Sequence, residues 1–261
     1  METLILFTKA PLAGKTKTRL AKERGDDAAL RLATAFLSDT AALCGRWRAA
    51  KSAVDANRRL VFYVDPLIED PILVDLAWKA GARLEEQRGK DLGERLRHAF
   101  DAELARGSRA VCAIGSDSPT LPLHLLDHAF RALLWERVII GPTFDGGYWL
   151  VGAQRPAPNL FDNIPWSTAA VVARTTSLLR TQGLAAHLLP FWYDVDEASD
   201  LERLVWHLKA LRADLGSHGD SIQGPDGPVA PATFQALVDI GLVHSTHLPT
   251  PAPGGTPLEP R

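Results

Sequence analysis

The chain predicts an α/β fold, an open sheet of buried strands separated by helices, and three observations predict it. Short apolar runs recur at residues 3–8 (T-L-I-L-F-T), 59–64 (R-L-V-F-Y-V), 111–114 (V-C-A-I) and 137–140 (R-V-I-I). Their unbroken apolar character is that of strands buried on both faces. Stretches with helical spacing lie between them, and the runs at 59–64 and 111–114 stop in D-P and in G-S-D-S-P, where proline ends a strand. At 261 residues the chain is long enough for one large domain, expected over 1–245.

The first strand, 3–8, runs into a loop and helix start, 9–20 (K-A-P-L-A-G-K-T-K-T-R-L), with Lys9, Lys15, Lys17 and Arg19 inside eleven residues. Cations and backbone donors directly after a strand make an anion site. Two phosphate templates fit this loop. The P-loop pattern G-x-x-x-x-G-K-[ST] is nearly met by 9–16, but Lys9 takes the place of its first glycine. The other is a loop in which side chains hold the phosphates, and K-T-R-L at 17–20 fits it. Helix is expected again over 27–43.

The second strand, 59–64, is followed by a helix at 71–80 and a short strand at 82–85. In Q-R-G-K-D-L-G-E-R-L-R-H-A-F (87–100), Asp91 is the expected N-cap with Glu94 closing a capping box. Leu92, Leu96, Ala99 and Phe100 form the expected buried face. Capping leaves Gln87 and Gly93 unexplained, and both are candidates to approach a nucleotide base.

The run 111–114 delivers Gly115, Ser116 and Asp117 to its carboxyl end, where ligands collect in open α/β sheets. Asp117 there suits a metal or a phosphate; a turn Asp before a helix capped by Ser118 or Thr120 is the alternative. A helix over 122–134 and a strand over 137–140 precede G-P-T-F-D-G-G-Y-W-L-V-G (141–152). Asp145, Gly146 and Gly147 form a hairpin turn that can also be a substrate site, with Tyr148 or Trp149 as its wall. Ser167 of P-W-S-T (165–168) is the expected cap of a helix running to about 182; the cap leaves the neighbouring Trp166 unaccounted for. A strand over 184–189 leads to F-W-Y-D-V-D (191–196), where Asp194 and Asp196 point the same way if extended. Asp117 with one of these two would offer oxygen ligands to a hard divalent cation from two separate strand ends. A helix is expected over 197–215 and another within 225–243. The Pro-rich tail 246–261 has almost nothing to bury and is expected to be disordered.

A net charge of -2 gives no reason to expect nucleic acid or an anionic membrane as partner. Two cysteines, Cys44 and Cys112, make no disulfide framework, so a reducing cytoplasm is the expected compartment. No apolar run approaches the ~18 residues a membrane span needs.

Taken together, F-T-K-A-P-L-A-G-K-T-K-T-R-L, D-L-G-E-R-L, I-G-S-D-S-P-T-L, G-P-T-F-D-G-G-Y-W-L-V-G, P-W-S-T and W-Y-D-V-D resemble, in this order, a bacterial GT-A-fold family usually labelled uncharacterised glycosyltransferase, within the nucleotide-diphospho-sugar transferase superfamily. The resemblance spans roughly 1–215, and the K-T-R-L loop is also similar to that of phospholactate guanylyltransferases. It implies a three-layer α/β/α fold with a mixed, mostly parallel sheet, a bound nucleotide, and Mg²⁺ or Mn²⁺. It further implies that Lys17 and Arg19 hold phosphates, with Lys9, Gly14, Gln87, Gly93 and Ser116 around the nucleotide. Asp117 with Asp194 or Asp196 would be the metal ligands. Asp145, Gly146, Gly147, Tyr148 and Trp166 would line the acceptor or sugar site. The G-x-G-x-x-R-M loop of sugar nucleotidylyltransferases is absent, and G-S-D replaces the D-x-D common in glycosyltransferases.

Two activities follow. Glycosyl transfer from a nucleotide sugar to a small-molecule acceptor is the first expectation. The alternative is nucleotidylyl transfer from a nucleoside triphosphate to a phosphorylated or carboxylate acceptor, which the basic loop favours because a triphosphate carries more charge. A P-loop-like NTPase or a non-catalytic nucleotide-binding protein comes third.

Overall fold

The computed structural model describes residues 1–50, 57–66, 70–155, 157–214 and 222–243; the expected tail, 246–261, lies outside them. A seven-stranded sheet has the order β3-β2-β1-β4-β6-β5-β7, made of β1 (Glu2–Lys9), β2 (Arg58–Asp65), β3 (Arg83–Glu86), β4 (Ala110–Ile114), β5 (Val138–Pro142), β6 (Tyr148–Gln154) and β7 (His187–Leu188). Strand β1 pairs in parallel with β2 and β4, β2 with β3, and β5 with β7. Only β6 runs the other way, antiparallel to both β4 and β5. The sheet is therefore mixed and mostly parallel, as the motifs implied.

Side-chain alternation explains why the strands read as continuous apolar runs. Leu4, Leu6, Leu60, Phe62, Val64, Cys112 and Ile114 pack on one face with α2 (Asp26–Ala49), α3 (Pro71–Ala80) and α5 (Leu123–Ala132). Ile5, Val61, Tyr63, Val111 and Ala113 pack on the other with α4 (Leu92–Ala105) and α6 (Val171–Thr181). Both faces are covered, so neither needs polar residues. A third cluster lies beside these layers, where α1 (Thr18–Arg24) and α2 meet α7 (Ala198–Asp214) and α8 (Pro231–Asp239) through Leu20, Phe36, Leu204 and Phe234. Buried Asp39 fixes α8, accepting from Ala232 N (3.0 Å) and Thr233 N (2.7 Å) at that helix's start.

Local chemistry sets most boundaries. Asp70 caps α3 by accepting from Ile72 N and Leu73 N, with Pro71 at its first position and Gly81 in the left-handed region after its end. Asp91 caps α4 as expected, accepting from Glu94 N at 2.9 Å. Glu94, however, accepts from Lys90 N (2.9 Å), one residue before the expected partner.

Several expectations are corrected. Leu92 is 40% exposed and stands at a cleft rather than on the buried face of α4. The helix expected to begin at Ser167 begins at Val171: Ser167 has φ +62°, outside helical space, and its side chain caps nothing. Strand 184–189 shrinks to His187–Leu188, because Leu184 N still bonds back to Leu179 O at the end of α6. Helix α8 is preceded by a small hairpin, β8 (Gln223–Gly224) and β9 (Gly227–Pro228), around Pro225-Asp226, which was not expected. Both cysteines are buried and unpaired. No helix among the described residues is long and apolar enough to cross a membrane.

Candidate functional site

The carboxyl ends of β1 and β4 and the connections after β3 and β7 meet at one edge of the sheet, around a cleft of about 550 Å³. One wall is the loop between β1 and α1, with Lys9, Lys15, Thr16, Lys17 and Arg19; the other brings Ser116, Asp117 and Asp196. Gln87, Leu92 and Arg95 close a third side, and Ser167 stands at the rim.

The loop is held in shape by Thr16, whose hydroxyl donates to Leu12 O and accepts from Leu12 N, both at 2.9 Å. Gly14, at φ +69°, turns the chain. Lys9 and Lys15 are exposed, border the cleft, and form no ion pair among the described residues. Arg19 is exposed as well, with its guanidinium donating to Glu197 at 3.1 Å.

Lys17 behaves differently. Its backbone is left-handed (φ 50°, ψ 49°), and its side chain turns inward, only 7% exposed. The ammonium lies 2.8 Å from Asp117 Oδ1 and 2.5 Å from Asp196 Oδ1. Burial alone would lower its pKa; the charges of Asp117 and Asp196 and their hydrogen bonds outweigh that and hold it above the ordinary lysine value.

The two acids meet because the segment before α7 is laced onto the end of β4. Val195 N donates to Asp117 O (2.9 Å) and Ser118 Oγ donates to Tyr193 O (2.9 Å), while Val195 itself is fully buried. With Val195 inward, Asp194 and Asp196 turn the other way, as their spacing predicts. Both border a recess of about 280 Å³, which shares Arg19 and Asp196 with the cleft and is lined further by Phe144, Asp145 and Tyr193. Burial, then the neighbouring charges of Asp145, Asp196 and Asp117, push the Asp194 carboxyl up to about 6. Among the described residues no group of three His, Cys, Asp or Glu side chains is arranged to hold a metal.

The remaining candidates divide. Ser116 borders the cleft and its hydroxyl accepts from Thr8 Oγ1 at 3.1 Å. Gln87 also borders it, with its amide NH₂ donating to Thr8 O (2.7 Å) and Tyr63 O (3.0 Å). Gly93 does not: a Cβ there would sit 2.7 Å from Phe161 O and 2.8 Å from Trp166 Nε1, so its bareness serves packing. Asp145 shapes its own turn, accepting from the Thr143 hydroxyl and from Gly147 N. A Cβ on Gly146, at φ +89°, would overlap the Ala169 carbonyl. Gly147 completes the turn, its carbonyl accepting from Thr143 N at 3.0 Å. Tyr148 and Trp166 pack edge-on at 6.1 Å against the core, and neither borders the cleft or the recess. Trp149 is buried, with its Nε1 donating to Pro190 O.

Sequence reasoning did not single out Arg95, Leu92 or Phe7 as cleft residues. Arg95 pairs with Asp65 at the end of β2 and donates to Gly89 O. Its position inside D-L-G-E-R-L was the available signal.

Comparison with known proteins agrees with this architecture. The chain is 28% identical over 165 residues to a phosphoenolpyruvate guanylyltransferase of Sphaerobacter thermophilus, covering 60% of this chain and 75% of that one. It is 29% identical to a crystal structure from Desulfovibrio desulfuricans G20 provisionally described as a nucleotide-diphospho-sugar transferase. That superposition has a TM-score of 0.70 and covers 92% of this chain and 96% of the other. The fold is that of the nucleotide-diphospho-sugar transferases. Residues 48–168, which include Asp117 and the Asp145 turn but not the basic loop or Asp196, match the model of the family described as "Uncharacterized protein conserved in bacteria (DUF2064)".

Proposed function

We propose that this chain is a nucleotidylyltransferase: an acceptor oxygen attacks the α-phosphorus of a nucleoside triphosphate, the α–β phosphoanhydride bond breaks, and pyrophosphate leaves. The observation that carries this reading is the charge layout of the cleft. Lys9 and Lys15 stand on one wall with no ion pair among the described residues, and Arg19 stands beside them. The acid pair Asp117 and Asp196 lines the same cleft. Cations on the lip suit the β- and γ-phosphates, whose charge grows as pyrophosphate departs. The guanylyltransferase relative supports the same reading.

The acid pair fits a divalent metal. Both Oδ1 atoms already converge on a single cation, the Lys17 ammonium, and both are the hard oxygen donors that Mg²⁺ or Mn²⁺ takes. Asp117 and Asp196 would hold the ion, with phosphate oxygens and water completing its shell. Such an ion supplies charge neutralisation at the phosphates. Asp194 and Asp145 line the adjoining recess, in which Arg19 and Arg203 are the cations an anionic acceptor would meet.

Glycosyl transfer is the second reading, favoured by the description of the Desulfovibrio structure. One assay separates the two. Guanosine triphosphate with a panel of phosphorylated carboxylates, beginning with phosphoenolpyruvate, should release pyrophosphate in the presence of Mg²⁺ or Mn²⁺. Release of nucleoside diphosphate from a nucleotide sugar, with no pyrophosphate from any triphosphate, would overturn the first reading in favour of the second. Asp117→Ala should abolish turnover with the thermal transition retained.

A further inference from the structure

Four cations come from the loop after β1, and the motifs imply that Lys17 and Arg19 among them hold phosphates. The structure separates one. Lys9, Lys15 and Arg19 are exposed, whereas the Lys17 side chain is 7% exposed and its ammonium is enclosed between Asp117, Asp196 and the ring of Phe36, 5.9 Å from its centroid. The two acids it touches are 43% and 45% exposed. The cation is therefore inside and the carboxylates are outside, between it and solvent. Each acid gives the ammonium its Oδ1, and among the described residues neither Oδ2 is in an ion pair. A left-handed backbone at Lys17 is what turns this side chain inward from the start of α1 while Arg19, two residues on, stays on the surface.

We propose that Lys17 is a positioning residue rather than a phosphate ligand: its buried ammonium fixes Asp117 and Asp196, from two distant parts of the chain, at the separation from which they jointly take a divalent cation. This rests on the reading above that a nucleotide-bound metal sits at the acid pair. Two like charges that converge on one point repel each other, and an opposite charge behind them offsets that repulsion without occupying the open side. The Val195 N–Asp117 O bond brings the two segments together, and Lys17 orients the carboxylates once they are there.

The test uses the whole chain and Lys17→Met, which keeps the length of the side chain and removes its charge. Two measurements are made. The first is the affinity for guanosine triphosphate in excess EDTA, by titration calorimetry. It should stay within about twofold of the wild type, whereas Lys9→Ala/Lys15→Ala should lose tenfold or more. The second is Mn²⁺ affinity without nucleotide, followed by the electron paramagnetic resonance of free Mn²⁺. It should weaken about tenfold in Lys17→Met, because nothing then holds the two mutually repelling carboxylates together. A tenfold loss of metal-free triphosphate affinity would show that Lys17 reaches the phosphates and would overturn the proposal; unchanged or tighter Mn²⁺ affinity would also overturn it.

Should Lys17→Met not fold, lysine acetylation of the wild type read by mass spectrometry decides the question. Lys17 should be protected with or without triphosphate, while Lys9 and Lys15 become protected only when triphosphate is added. Ready acetylation of Lys17 in the free protein would refute its burial as counter-ion. If the wild type binds no triphosphate at all, the nucleotidylyl reading fails, and the Mn²⁺ comparison still decides the role of Lys17.

Discussion

Replacing Lys9 and Lys15 together with alanine should weaken triphosphate binding selectively. Both side chains are exposed and border the cleft, and neither has an ion partner among the described residues, so their removal strands no carboxylate. The loss is then what the phosphates would have gained. An exposed pair of opposite charges contributes about 1 kcal/mol, so two lysines contribute about 2 kcal/mol, roughly thirtyfold in Kd. Arg19 is left in place because its guanidinium already bonds Glu197 at 3.1 Å, and removing it would disturb that pair. Titration calorimetry in EDTA with guanosine triphosphate, guanosine diphosphate and guanosine reads the effect. The deficit should shrink from triphosphate to diphosphate and vanish for the nucleoside. It should also shrink as salt rises, because the screening length falls from about 10 Å at 0.1 M to about 3 Å at 1 M. An equal loss for guanosine, or a deficit indifferent to salt, would mean that the loop shapes the cleft instead of holding phosphates.

Three further outcomes follow from the packing. Burial lowers the pKa of His207, whose Nδ1 is bonded to the Tyr193 hydroxyl at 2.7 Å. A histidine harder to protonate when folded contributes stability that is full above its unfolded value, about 6.5, and is lost as pH falls through that value toward the folded one. Asp194, pushed up to about 6, acts in the opposite sense, so the comparison is with His207→Gln: from pH 5 to pH 7 the wild type should gain more in urea midpoint than the variant, and parallel curves would exonerate His207. Gly146→Ala would force a side chain into left-handed backbone against the Ala169 carbonyl, and should cost about 2–3 kcal/mol in chemical denaturation. Glu103 is fully buried, accepting from Arg83 (2.7 Å), Arg106 (2.7 Å) and Tyr63 (3.1 Å). Glu103→Ala should cost about 2–3 kcal/mol, below the full value for a broken buried pair because its arginines reach solvent; a loss under about 1 kcal/mol would show the cluster to be dispensable.

What could be read in advance was whatever the local chain dictates. Runs with apolar residues at every position, such as Leu4 to Leu6 and Val111 to Ile114, have no choice but a strand with both faces covered, and they lie there. Asp70-Pro71 and Asp91 announce helix starts through their own side chains. Ser167 looked like the same signal and was not, because its backbone is left-handed and α6 waits for Val171. The hairpin at 223–228 carried an Asp-Gly pair that could have announced it. In the site, the convergence of Asp117 with Asp196 was expected from strand ends. The inward turn of Lys17 was not, since it depends on one backbone torsion and on acids 100 and 179 residues away in sequence. Gly93 and Trp166 were drawn toward the substrate for want of any structural duty, and the duty proved to be their contact with each other.

The reversed direction of β6 has a practical side. It returns the Asp145 turn to the rim where β1 and β4 end, so every group with chemistry to do gathers along one border of the sheet. The opposite border is stitched by backbone bonds, Glu2 N to Asn57 O, Arg109 N to Met1 O and Arg155 N to Arg109 O, and by buried Glu2 between Arg58 and Arg109. An affinity handle or fluorophore attached at Met1 would thus ride on the far side of the molecule, leaving the mouth of the cleft clear for immobilised binding measurements.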